Sequence, residues 1–126
     1  MHRTPRVAVV DDDERMYRAL ARLLRASGIE SVNYRSAEDF LGDAAAPRFD
    51  ALILDVQLGG MSGLELRERL AASGSVTPVL FLTAHGEVEL RERAQRSGWA
   101  PYLLKSDPGE VVLAALLRVL GEAPQG

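Results

Sequence analysis

Three short stretches of this chain are apolar at every position and stop abruptly at a residue with chemistry to offer. Val7-Ala8-Val9-Val10 runs into Asp11-Asp12, Ala51-Leu52-Ile53-Leu54 into Asp55, and Val79-Leu80-Phe81-Leu82 into Thr83. A fourth, Tyr102-Leu103-Leu104, runs into Lys105, the single lysine among 15 basic residues. A strand with one wet face alternates apolar and polar positions. A run without alternation is buried on both faces, the habit of parallel strands covered by helices. The connecting stretches have helical character. Residues 14–26 set Tyr17, Leu20, Leu23 and Leu24 at helical spacing and stop at Ser27-Gly28. Residues 29–34 read as a further strand, the second in chain order. Ser36 caps a short helix carrying Ala37, Phe40 and Leu41, with Glu38 and Asp39 suiting the dipole in its first turn and Ala45-Ala46-Pro47 as its end. Gly59-Gly60 and Ser62-Gly63 form a loop into a helix with Leu66 and Leu70 inward. A fourth helix is expected at about residues 87–96, crowded with charge and offering only Val88, Leu90 and Ala94 for packing. A last helix, about residues 108–120, has Asp107 as cap and Pro108 in its first turn, and buries Val112, Ala115, Leu116 and Val119. Strand and helix alternating in this way predict an α/β fold, an open five-stranded parallel sheet with helices on both faces. In such a sheet the strands' carboxyl ends share one edge, which gathers the acids, the hydroxyl and the amine.

Composition narrows the chemistry. At 126 residues the chain is one domain with room for a real core. A net charge of −3 gives no electrostatic footprint for nucleic acid. The absence of cysteine excludes disulfides, thiolate metal sites and cysteine nucleophiles. No apolar stretch approaches the ~20 residues of a membrane span, and Met1-His2-Arg3-Thr4-Pro5 is no signal peptide. A cytoplasmic protein without membrane partners is the expectation, with residues 1–5 an N-terminal tail, 6–120 the domain, and 121–126 a C-terminal tail or the start of a linker.

Val10-Asp11-Asp12, Asp55 with Met61-Ser62-Gly63 downstream, Thr83-Ala84 and Lys105 resemble, in order and position, the receiver domain of bacterial two-component response regulators. Each motif is common alone; the four together at strand ends are specific. Tyr34-Arg35-Ser36-Ala37-Glu38-Asp39-Phe40-Leu41 further resembles the nitrogen-fixation-type receivers that precede helix-turn-helix domains. The resemblance implies a flavodoxin-like sheet of order 2-1-3-4-5. It also implies a phosphoacceptor switch in which Asp55 takes a phosphoryl group from a histidine kinase or phosphotransfer protein. Asp12, supported by Asp11, would hold Mg2+ with Asp55 and the backbone carbonyl of Gln57. Lys105 and Thr83 would meet phosphoryl oxygens, a compact ammonium suiting the point-charge role. Tyr102 would follow Thr83 as a switch residue, unless it is simply core. Gln57 and His85 would tune hydrolysis, the imidazole titrating near its ordinary value of about 6.5. The implied output is partner binding or homodimerisation through the 87–96 segment, the last strand and the last helix. The protein would be a regulator rather than an enzyme, either standing alone or joined to an output domain.

Three positions depart from the family pattern. Ser106 follows Lys105, where the family carries a proline joined by a cis peptide that aims the ammonium. A cis bond before serine would cost about 3–4 kcal/mol, so either that bond is strained or the loop runs trans. Gly59-Gly60 replace a stiffer loop and predict mobility beside the acceptor. Trp99 stands where the family prefers alanine. These departures motivate an alternative, a phosphorylation-independent receiver acting as an interaction module. An aspartyl phosphatase would carry a second aspartate where Gln57 stands, and a flavin carrier would need a phosphate loop where this chain has acids.

Overall fold

The structure, a computed structural model, describes residues 4–43, 48–84 and 102–122. Strands β1 (Arg6–Val10), β2 (Glu30–Tyr34), β3 (Ala51–Asp55), β4 (Val79–Thr83) and β5 (Tyr102–Leu104) alternate with helices α1 (Glu14–Ala26), α2 (Ala37–Gly42), α3 (Gly63–Ala72) and α4 (Gly109–Glu122). The strands form one parallel sheet in the order β2-β1-β3-β4-β5. The α/β architecture and its strand order are therefore those expected. The expected helix at 87–96, Trp99, His85 and the Ala45-Ala46-Pro47 stop lie outside the described residues.

The unbroken apolar runs are explained by the two layers they separate. Val7, Val9, Ile53, Leu80 and Leu82 point to one face and pack under Leu20 and Leu24 of α1 and Val112, Leu116 and Val119 of α4. Ala8, Val10, Leu52, Leu54, Val79 and Phe81 point to the other, under Ala37 and Phe40 of α2 and Leu64 and Leu66 of α3. Both faces of β3 and β4 are buried at every position, so each side chain contributes to a core; fully burying a leucine or phenylalanine is worth about 2–3 kcal/mol.

Local signals set the helix starts. Asp13 caps α1 by accepting from Met16 N, and Ser36 caps α2 by accepting from Asp39 N. Ser62 and Glu65 form a reciprocal capping box on α3, satisfying two backbone donors at once. Asp107 behaves differently from expectation. Its carboxylate takes the Leu104 N–H (2.9 Å), tying off β5, and α4 is entered through Pro108, whose carbonyl accepts from Val112 (3.3 Å). At its far end α4 runs on to Glu122, into the expected tail.

Candidate functional site

Each functional side chain stands on the last residue of a strand or one or two residues beyond it. Asp11 follows β1 and is 1% exposed. The backbone there is fixed from β2: the Asp11 N–H donates to the Tyr34 carbonyl (2.9 Å), and the Asn33 side chain donates to the carbonyls of Val9 (3.0 Å) and Asp11 (3.1 Å). The Asp13 N–H donates to Asp11 Oδ1 (2.8 Å), which folds the chain back toward the carboxylate before α1 begins. Asp55 ends β3 and is 4% exposed, its Oδ1 accepting from Gln57 N at 2.9 Å. Gly63 sits directly on this strand end. A Cβ at that position would come within 2.2 Å of the Asp55 carbonyl oxygen, so only glycine allows α3 to start so close to the aspartate.

Thr83 ends β4 and is fully buried, and its Oγ1 has no hydrogen-bond partner among the described residues. A buried hydroxyl left unsatisfied costs about 1–3 kcal/mol, and such a group calls for an explanation. The Thr83 carbonyl accepts from Lys105 N (2.7 Å), which holds the start of the lysine beside the threonine. From there the ammonium reaches both acids: Nζ lies 2.9 Å from Asp11 Oδ1 and 2.9 Å from Asp55 Oδ2. Cis peptide bonds are absent among the described residues, so the Lys105–Ser106 bond is trans. That answers the question raised by Ser106: the trans loop delivers the ammonium to the pocket.

Asp11, Asp12 and Asp55 each offer a carboxylate oxygen, and the three oxygens lie within 4.8 Å of one another. Asp11 and Asp55 are buried and Asp12 is exposed. Burial pushes the Asp11 carboxyl above the usual carboxylate value against the Asp13 N–H and Lys105, and the Asp55 charge adds to the rise. Burial alone would lower Lys105; its hydrogen bonds to Asp11 and Asp55 more than offset this, and it ends above an ordinary lysine. The pocket therefore carries more acid than its single ammonium balances. Clustered carboxylate oxygens without sulfur or imidazole are the donor set of a hard divalent cation, and that cation would relieve the repulsion. The residues fit Mg2+.

The expected residues Asp11, Asp12, Asp55, Thr83 and Lys105 thus lie at one sheet edge. Gln57 joins them through its backbone N–H. Tyr102, on β5, is half-buried against the core beside α2 and α3. Sequence reasoning misses Glu38, whose place in the first turn of α2 suggests only a helix-dipole role. Its Oε2 accepts from Met61 N (3.1 Å), binding α2 to the loop after Asp55. No local pattern reports a contact across 23 residues.

A parallel sheet of this order with acids, a hydroxyl and a lysine at its carboxyl edge defines a class of protein, the receiver. The family model described as "Response regulator receiver domain" matches residues 7–116, and this chain belongs to that family, the receivers of two-component systems. The response regulator protein TmoT of Ectopseudomonas mendocina is 34% identical over 119 residues, which are 94% of this chain and 54% of that protein. The transcriptional regulatory protein FixJ of Azorhizobium caulinodans is 37% identical over 120 residues, 94% of this chain and 56% of that protein. The crystal structure of a response regulator receiver protein from Burkholderia phymatum superposes with a TM-score of 0.81 at 42% identity, covering 96% of this chain and 99% of that one. The chain spans about half the length of the curated relatives it matches. Among the described residues, no helix is long and apolar enough to cross a membrane.

Proposed function

We propose that Asp55 is the acceptor of a phosphoryl group delivered by a histidine kinase or a phosphotransfer protein. A carboxylate oxygen of Asp55 attacks phosphorus, a P–O bond forms, the P–N bond to the donor imidazole breaks, and the imidazole leaves with the electron pair. Asp12, Asp55 and the Gln57 carbonyl, with Asp11 in support, would hold Mg2+, which neutralises charge developing during transfer. Lys105 then exchanges its contact with the Asp55 carboxylate for a phosphoryl oxygen. Thr83 donates its hydroxyl to another, and Tyr102 follows the space that Thr83 vacates. This biases an existing equilibrium and so controls partner binding or homodimerisation, with the 87–96 segment, β5 and α4 as the responding parts of the chain. Gln57 and His85 would tune how fast water removes the phosphoryl group.

The observation that carries this reading is the buried hydroxyl of Thr83, without a partner among the described residues, at the same sheet edge where one ammonium bridges two buried acids. A phosphoryl oxygen gives that hydroxyl the acceptor it lacks. A phosphorylation-independent interaction module has no use for such a group. Asp55→Ala should abolish labelling by acetyl phosphate in Mg2+. Undiminished labelling of the variant would refute the assignment.

A further inference from the structure

The loop between Asp55 and α3 holds the Gln57 carbonyl, yet at its centre stand Gly59 and Gly60, the residues with the most backbone freedom to lose. It is tied at three places. The Gln57 N–H donates to Asp55 Oδ1 (2.9 Å), the Gly63 N–H donates to the Val56 carbonyl (3.2 Å), and the Met61 N–H donates to Glu38 Oε2 (3.1 Å). The last comes from another element of the fold, the first turn of α2, and the side chains of Leu58 and Met61 also pack against the core on that face of the sheet.

The backbone of the neighbouring Gly60 makes room for this contact. Gly60 adopts φ +77°, and a Cβ there would lie 2.6 Å from Glu38 Oε2 and 3.3 Å from its Cδ. The carboxylate thus rests where any side chain at position 60 would be, and glycine meets both the dihedral and the clearance. The Met61 N–H in turn holds the Glu38 carboxyl below its usual range, so the acceptor is ionised wherever the protein is folded at neutral pH.

We propose that Glu38 is a positioning residue: by clasping Gly60 and Met61 it orders the double-glycine loop and so presents the Gln57 carbonyl to the cation. The inference rests on the reading of the acidic pocket as an Mg2+ site. Glu38 touches neither cation nor phosphoryl group; it acts through the loop. Linkage makes the effect reciprocal, because a cation held partly by the loop favours the clasped conformation.

The test is Mg2+ titration of the unphosphorylated protein by NMR, read at the pocket amides and at the Met61 amide, with melting curves alongside. Glu38→Ala should weaken Mg2+ binding by about three- to tenfold, the scale of one hydrogen bond, and should leave the Met61 amide exchanging freely. Its melting temperature should barely move, because the side chain is solvent-facing. Glu38→Gln keeps an acceptor oxygen at the same reach and removes the charge, so it should restore most of the affinity and the Met61 protection. Equal Mg2+ affinity in wild type and Glu38→Ala would overturn the proposal. So would Glu38→Gln as weak as Glu38→Ala, which would reduce the effect to loss of a distant negative charge. Failure of the wild-type protein to bind Mg2+ would overturn the pocket reading itself, and is distinguished because it leaves no affinity for the variants to lose.

Discussion

The two ends of the same sheet treat charge in opposite ways. At the amino end, Arg6 pairs with Glu30 at 2.9 Å, its side chain 38% exposed and its partner's 56%, and the Arg6 N–H donates to Asp50 Oδ2 at 2.8 Å. Water solvates those charges whether or not they meet, so the pair adds little. At the carboxyl end, Lys105 meets Asp11 and Asp55 with side chains 12%, 2% and 5% exposed. There the desolvation cost falls on every member, the acids outnumber the amine, and Thr83 keeps a hydroxyl without a partner among the described residues. An end built for stability alone would look like the first; the second keeps desolvated charge and an unsatisfied hydroxyl, as functional sites do.

The sharpest way to break this contrast is to remove the amine. Lys105→Met should destabilise the metal-free protein by about 3 kcal/mol, because it leaves Asp11 and Asp55 buried without a counter-charge. Mg2+ should restore part of the loss, and denaturant melts with and without the ion measure both. The same pair of proteins gives a pH test. Lys105 is raised above its ordinary 10.5, so the folded state holds that proton more tightly than the unfolded chain. Its stabilising contribution is complete below pH 10.5 and is lost as pH rises through the higher folded value. Wild type should therefore lose its advantage over Lys105→Met in that alkaline window. Tyr34, pushed up to about 12 by burial and then by Asp43, titrates in both proteins and cancels in the difference.

Replacing the orphaned hydroxyl should work in the other direction. Thr83→Val keeps the shape and removes the unsatisfied group, so it should stabilise the resting fold by about 1 kcal/mol while slowing the response to phosphorylation. A destabilised variant would mean that Thr83 has a partner after all. The smallest effect belongs to the amino end: Arg6→Ala should cost less than about 0.5 kcal/mol, and a larger loss would erase the distinction between the two ends.

Much of this arrangement was legible in the residues because the signals were local or strongly periodic. Ala51-Leu52-Ile53-Leu54 could only be a strand buried twice over, and Ser36 and Ser62 mark helix starts within three residues of the donors they satisfy. The acids and the lysine followed from topology, since parallel strands must end at one edge. What escaped notice depends on distance in sequence. Glu38 offers a good first-turn residue whether or not Met61 lies beneath it, and Gly60 looks like freedom until the carboxylate above it is seen. Asp107 fits the cap of α4 equally well on paper; that it ties β5 instead depends on where Leu104 ends. The double glycine predicts a mobile loop from local freedom alone, and a hydrogen bond arriving from α2 is invisible to that reasoning.

The most direct test of the central claim, that the buried acids converge to make Asp55 an acceptor, is chemical trapping. The protein is treated with acetyl phosphate in Mg2+, reduced with borohydride, and mapped by peptide mass spectrometry, since borohydride converts an aspartyl phosphate to homoserine. The account predicts homoserine at position 55 alone, and none when Mg2+ is chelated. Homoserine at another aspartate, or a stable phosphate on a serine, threonine or histidine with position 55 unmodified, would contradict it.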